Sequence, residues 1–141
     1  MLESIQKLYD DFFKEIKSYL SLNSIYSPYI FKNEPEEKLF PVVIIKELPR
    51  TFRYTTLKHT DIIYYFSLEI NIYAMQKGSV SAMTIADELT NLIEKYFYDN
   101  YKMRTKISKN IPNIDTSVIR NLIQIKCKVD TKYKDKLVLC P

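Results

Sequence analysis

The segment DIIYYFSLEINIYAMQ, residues 61 to 76, alternates along its whole length. Ile62, Tyr64, Phe66, Leu68, Ile70, Ile72 and Ala74 fall on one side, with Ile63, Tyr65, Ser67, Glu69, Asn71, Tyr73 and Met75 on the other. A period of two over so long a run reads as a β-strand. Its first side is apolar throughout and suits a dry core. Its second side mixes large apolar groups with polar ones, which fits neither a dry core nor an ordinary solvated surface.

The flanking segments supply neighbours for this strand. Residues 2 to 20 place Leu2, Ile5, Leu8, Tyr9, Phe12, Phe13, Ile16, Tyr19 and Leu20 at helical spacing. NSIYSPYIFKNEPEEK (23 to 38), with two prolines and a polar cluster, reads as a loop. LFPVVIIKEL (39 to 48) is a β-branched run whose Pro41 belongs at the strand start, and TFRYTTL (51 to 57) alternates as well. Three successive strands with short links predict an antiparallel meander.

After QKGS, a hydroxyl of Ser79 or Ser81 caps a second helix, whose stripe of Ile85, Leu89, Leu92, Ile93, Tyr96 and Phe97 runs to about Asp99. YKMRTKISK (101 to 109) then sets Lys102, Arg104, Lys106 and Ser108 against Tyr101, Met103, Thr105 and Ile107, predicting a strand with one basic face. NIPNIDTS is rich in turn residues. VIRNLIQIKCKV (118 to 129) repeats the basic pattern, with Arg120, Gln124, Lys126 and Lys128 opposite Ile119, Ile123, Ile125, Cys127 and Val129.

These patterns predict one α+β domain over residues 1 to 141. Its order is αβββαββ: a mainly antiparallel, twisted sheet of four to five strands, with two amphipathic helices packed on one face. The polar tail from 130 to 141 either stays flexible or adds LVLC as a short edge strand. On this reading nothing within the chain covers the second sheet face.

The totals agree with a single core: 141 residues, 46% apolar, including twelve tyrosines and seven phenylalanines. No apolar stretch approaches the roughly 20 residues that span a bilayer. The opening MLESIQKLYDDFFKEIKSYL mixes charge throughout, so the expectation is an intracellular protein. The net charge of +4 is unevenly spread. Residues 1 to 100 carry 11 Lys/Arg against 14 Asp/Glu, and residues 101 to 141 carry 10 against 3, giving halves of −3 and +7. Such polarity calls for an acidic partner, either nucleic acid or the acidic side of a neighbouring copy.

Little in the chain points to catalysis. Gly78 is the only glycine, too few for a phosphate-cradling loop, and it fits the turn before the second helix. His59 is the sole histidine and sits in a polar turn near Asp61, so no triad or multi-histidine metal site forms around it. Cys127 and Cys140 lack metal-type spacing and read as two thiols, with Cys127 on the apolar side of its strand.

The three carboxylates of NEPEEK (33 to 38) read as a solvated turn. Asp10/Asp11 and Asp87/Glu88 are adjacent in helices and diverge, the second pair also favouring the helix start. The expectation is a non-enzyme without cofactor or metal. The basic series Lys102, Arg104, Lys106, Arg120, Lys126 and Lys128 is then the main polar feature. It serves as a solvated face, as a contact for an acidic protein surface, or as a nucleic-acid site.

The helix-first layout resembles a known family, together with FPVVIIKE, YYFSLEINIYAMQ, SAMTIADELTNLIEKYF and especially PNIDTSVIR (112 to 120). These stretches are similar to the tail terminator, or tail-completion, proteins of long-tailed bacteriophages and phage-tail-like particles, over about residues 3 to 130. The resemblance implies a subunit that closes into a ring, usually a hexamer, at the head-proximal end of the tail tube. It stops tube growth, offers a docking surface for the head, and performs no reaction.

The implied partners are further copies, the tail tube protein, head-tail connector proteins and, in a contractile tail, the sheath protein. DNA passes through the ring without sequence-specific contact, no membrane is involved, and the place is the virion tail, assembled in the bacterial host cytoplasm. Asp115 and Arg120 fall in the recurring loop and strand start, where they support the loop or a subunit contact. Head-closure and minor capsid connector proteins are neighbouring alternatives. A small nucleic-acid-binding domain using the basic C-terminal strands is a third. In a ring, the face with Tyr65, Glu69, Tyr73 and Met75 is buried between subunits or lines the channel, and the basic strands of one copy meet the acidic part of the next.

Overall fold

The structure, a computed structural model, describes the backbone over residues 2–49, 51–55, 62–112, 115–130 and 137–138, and side chains over 8–49, 65–112 and 115–127. His59, Asp61 and Cys140, and the side chain of Lys128, lie outside the described residues. The architecture is α+β. Helix α1 (Leu2–Asn23) is followed by β1 (Tyr29–Phe31), β2 (Val42–Glu47), β3 (Thr51–Thr55) and β4 (Ile62–Ala74). Helix α2 (Ala82–Tyr101) comes next, and then β5 (Lys106–Ser108), β6 (Ile119–Asp130) and β7 (Leu137–Val138).

One mixed, mostly antiparallel sheet runs in the order β1-β2-β4-β6-β5. Strand β4 is its spine. Along one edge β4 pairs with β2 and then β3, and along the other it pairs with β6 from Ile63↔Asp130 to Ala74↔Ile119. The outer edge of β6 takes β5 and β7 at separate positions.

The alternation of β4 sorts its residues between two environments. Phe66, Leu68, Ile70, Ile72 and Ala74 are buried beneath the helices with Val43, Ile45, Ile123, Ile125 and Cys127. From α1, Phe12, Ile16 and Leu20 enter this core, and from α2, Ile85, Ala86, Leu89, Ile93 and Phe97. Ser81 caps α2, its hydroxyl accepting from the Thr84 N–H at 3.2 Å, and Gly78 forms the preceding turn at φ 60°. Asp87 and Glu88 do diverge, but they stand beyond the first turn, which has no acidic residue. They therefore do not serve the helix start electrically. Asp87 faces Asn121 and Lys109, while Glu88 faces Ser24.

Asn121 is the one polar residue among the buried positions on the helix side of β6. Its Nδ2 donates to Thr90 Oγ1 at 3.0 Å and Asp87 Oδ1 at 3.2 Å, and its Oδ1 accepts from the Asn110 N–H at 2.9 Å. Every polar atom of this side chain is therefore matched, as burial demands.

The predicted meander does not form: β2 and β3 do not pair with each other but lie one after the other along the same edge of β4. Three further places differ from the sequence expectation. The loop from 23 to 38 contains β1, a short edge strand parallel to β2, with Ile30 buried in the core. The expected strand from 101 to 109 is only β5. Helix α2 runs on to Tyr101 because this ring continues its aromatic stripe and packs 5.2 Å from Phe12. Lys102 then closes the helix in the left-handed region at φ 53°. Its N–H donates to Tyr98 O, and the Met103 N–H to Phe97 O.

Third, the second sheet face is not bare over its whole extent. Val42 and Ile44 lie on it, opposite Tyr73 and Asn71, yet they are only 5% and 4% exposed. Pro35, Leu39 and Phe40, with Val118, border a cavity of about 370 Å³ over this corner. The chain's own 34–40 segment roofs it.

Candidate interaction surface

The second face carries two groups of side chains, one bordering the roofed corner and one away from it. The first is a network along β4 and β6. Asn71 Oδ1 accepts from Arg120 Nε at 3.0 Å and Nη2 at 2.7 Å, and Asn71 Nδ2 donates to Glu69 Oε1 at 3.1 Å. The Arg120 guanidinium also sits 5.8 Å from the centre of the Tyr73 ring. Both tyrosines, Tyr65 and Tyr73, are half-buried, as is Glu69. Met75 lies just past the end of β4, so it does not continue the strand's face.

The second group is a groove. Lys102, Arg104, Lys106 and Lys126, all exposed, line an open cavity of about 920 Å³ whose walls include Ser67, Gln124 and Leu48. No carboxylate among the described residues lines it. Three elements assemble it: the left-handed end of α2 presents Lys102, the short run into β5 brings Arg104 and Lys106, and β6 contributes Lys126. The pairing Lys106↔Gln124 and Ser67↔Lys126 puts β4, β5 and β6 on a common face. Ser67 is the small residue in an otherwise bulky row, which leaves the depression open. The Lys126 ammonium lies 4.3 Å from the Tyr65 ring centre, and Lys102 lies 5.0 Å from that of Tyr98.

The basic residues thus converge, but not through the expected shared strand face. Lys102 and Arg104 precede β5, and only Lys106 belongs to a strand in that stretch. Arg120 is turned toward Asn71 and Tyr73 and is absent from the groove lining. Asp115 and Arg120 do not act as a pair. Asp115 Oδ1 accepts from the Ser117 N–H at 3.0 Å and the Ser117 hydroxyl at 2.6 Å, closing its own turn. Those two hydrogen bonds hold the exposed Asp115 carboxyl below the usual aspartate range. The sequence reading passed over Asn71, Ser67 and Gln124. Their signal was present in β4 and β6, where short polar residues interrupt rows of tyrosine and lysine.

Among the described residues, no group of three His, Cys, Asp or Glu side chains is arranged to hold a metal ion. Cys127 is a thiol buried in the core, its Sγ 3.5 Å from Phe66 O. No described helix is long and apolar enough to cross a membrane. A scan against protein-family models finds no match, and a search of curated proteins finds none either.

Proposed function

We propose that this chain is a structural subunit without catalytic activity that closes into a ring at the head-proximal end of a phage or phage-like tail. It ends tube polymerisation by geometric templating: one surface meets the last tube ring, and a different surface faces the head. The single observation that carries this reading is the second sheet face. It carries the half-buried Tyr73 at the edge of the corner that the 34–40 segment roofs and, beyond that corner, the half-buried Tyr65 and a groove of four exposed cations. Tyrosine-rich faces of this kind suit the centre of a protein interface. The structure keeps the helix-first α+β layout that the residue patterns predict. Exposed Leu22, Ile25 and Met83 add further apolar surface for association.

Native mass measurement with negative-stain imaging of the full chain tests this reading. A closed multimer with a central hole is the expected result, and replacing Tyr65→Ser together with Tyr73→Ser should weaken it while the monomer stays folded. A monomer at every concentration, or a multimer indifferent to both substitutions, counts against it. One observation favours a second reading as a nucleic-acid binder: four cations share one cavity. That reading requires affinity that falls steeply with salt.

A further inference from the structure

We infer that the basic groove receives the acidic 33–37 loop of a second copy of this chain. The inference rests on the ring reading and specifies its contact. The loop joins β1 to β2 and exposes Glu34, Glu36 and Glu37, with Lys38 following. None of these three carboxylates has an ion-pair partner among the described residues. Acids and bases nearby do pair within the chain: Lys32 with Asp10 at 2.5 Å and Lys109 with Asp87 at 3.7 Å. In the groove, Arg104 and Lys106 likewise have no acidic partner among the described residues.

The two patches sit at different places on the sheet. The loop borders Val42, Tyr73 and Val118 on the β1/β2 side, whereas the groove lies over Ser67, Gln124 and Lys126 on the β5 side. Tyr73 and Ser67 are separated by roughly 20 Å of strand, at about 3.3 Å per residue. No residue lines both cavities, so the loop of one copy stands away from its own groove.

Two unlike, complementary patches on one chain make a head-to-tail contact, and such contacts close into rings when the rotation permits. Pro35 limits the loop's freedom before binding, which lowers the ordering cost. Exposed ion pairs are individually weak, so this contact chiefly sets register and partner choice, while the tyrosine face supplies burial.

The test uses two full-length variants. One reverses the loop (Glu34→Lys, Glu36→Lys, Glu37→Lys), and the other reverses the groove (Lys102→Glu, Arg104→Glu, Lys106→Glu, Lys126→Glu). Sedimentation velocity at low salt should show self-association weakened by about tenfold or more in each variant alone. An equimolar mixture should recover it, because each reversed loop then faces an oppositely charged groove.

Circular dichroism melts verify folding; if the groove reversal melts early, a variant with Lys102→Gln, Arg104→Gln, Lys106→Gln and Lys126→Gln replaces it and is read by its own weakened self-association, not by the mixture. A ring that survives both reversals, or a mixture that fails to recover, overturns the loop-in-groove contact and leaves the ring reading standing. If parent and mixture both stay monomeric, both fall. A labelled single-stranded oligonucleotide bound by the parent and the loop variant, but not by the groove variant, assigns the groove to phosphate backbones and also overturns the contact.

Discussion

Arg120 and Asn71, on neighbouring strands, share one acceptor: both Nε and Nη2 of Arg120 donate to Asn71 Oδ1, at 3.0 and 2.7 Å. Asn71 is 5% exposed and passes the interaction on to Glu69 through its own Nδ2. A neutral amide thus links a cation to an anion across the second face and fixes both. It also tilts the guanidinium over Tyr73, beside the roofed corner.

Replacing Asn71→Ala removes the acceptor and leaves the guanidinium without its partner on a half-buried surface. The expected cost is about 1–3 kcal/mol. Urea titration should record it as a lower midpoint with unchanged slope, since the area exposed on unfolding hardly changes. Parent-like stability would mean that water replaces the amide at no cost.

Phe12 holds the two helices and the sheet together. Its ring centroid lies 5.6 Å from Phe66 on β4, 5.9 Å from Phe97 and 5.2 Å from Tyr101 on α2. Phe12→Ala should cost about 3–5 kcal/mol, a large share of the stability of a domain this size. Amide exchange should accelerate first in α1, the helix that this ring anchors. By contrast Leu22, 84% exposed near the end of the same helix, should accept alanine within about 0.5 kcal/mol.

Burial lifts the Glu88 carboxyl above its ordinary value, against the opposing hydrogen bonds from Ser24 and the Ile25 backbone. The folded state therefore holds a proton more tightly than the unfolded chain does. Ionised Glu88 opposes folding near neutrality. That penalty fades as pH falls through the folded-state pKa, and it is gone below the unfolded value. Glu88→Gln should raise the melting temperature by roughly 1–3 °C near neutrality and make no difference in acid. Melts of both proteins across that range check the sign. A variant that melts lower than the parent near neutrality would show that the ionised carboxylate's bond to Ser24 outweighs burial.

Local periodicity made much of the fold legible. Phe66, Leu68, Ile70, Ile72 and Ala74 of β4, Phe12, Ile16 and Leu20 of α1, and Ile85, Leu89, Ile93 and Phe97 of α2 are buried together because side chains two apart on a strand, or three and four apart on a helix, must share an environment. Ser81 and Gly78 were legible for the same reason: a cap and a turn are made by residues adjacent in the chain.

What periodicity could not carry was decided by distant partners. Strand β1 is three residues long, too short to show a period, and exists because the edge of β2 is there to pair with it. The alternation of 101 to 109 was real, but Tyr101 is taken up by Phe12 of α1, and that contact extends the helix through residues that otherwise read as strand. VVII in β2, apolar on both sides, was itself a sign that both faces of that strand are covered.

The sequence by itself therefore determined the long elements, the core face and the identity of the basic residues. Only the tertiary structure decided that Lys102, Arg104, Lys106 and Lys126 meet around one groove while Arg120 turns aside to Asn71. The physical reason is that a side chain's face follows from its neighbours along the chain, whereas a groove depends on which strands pair, in what register, and where a helix ends.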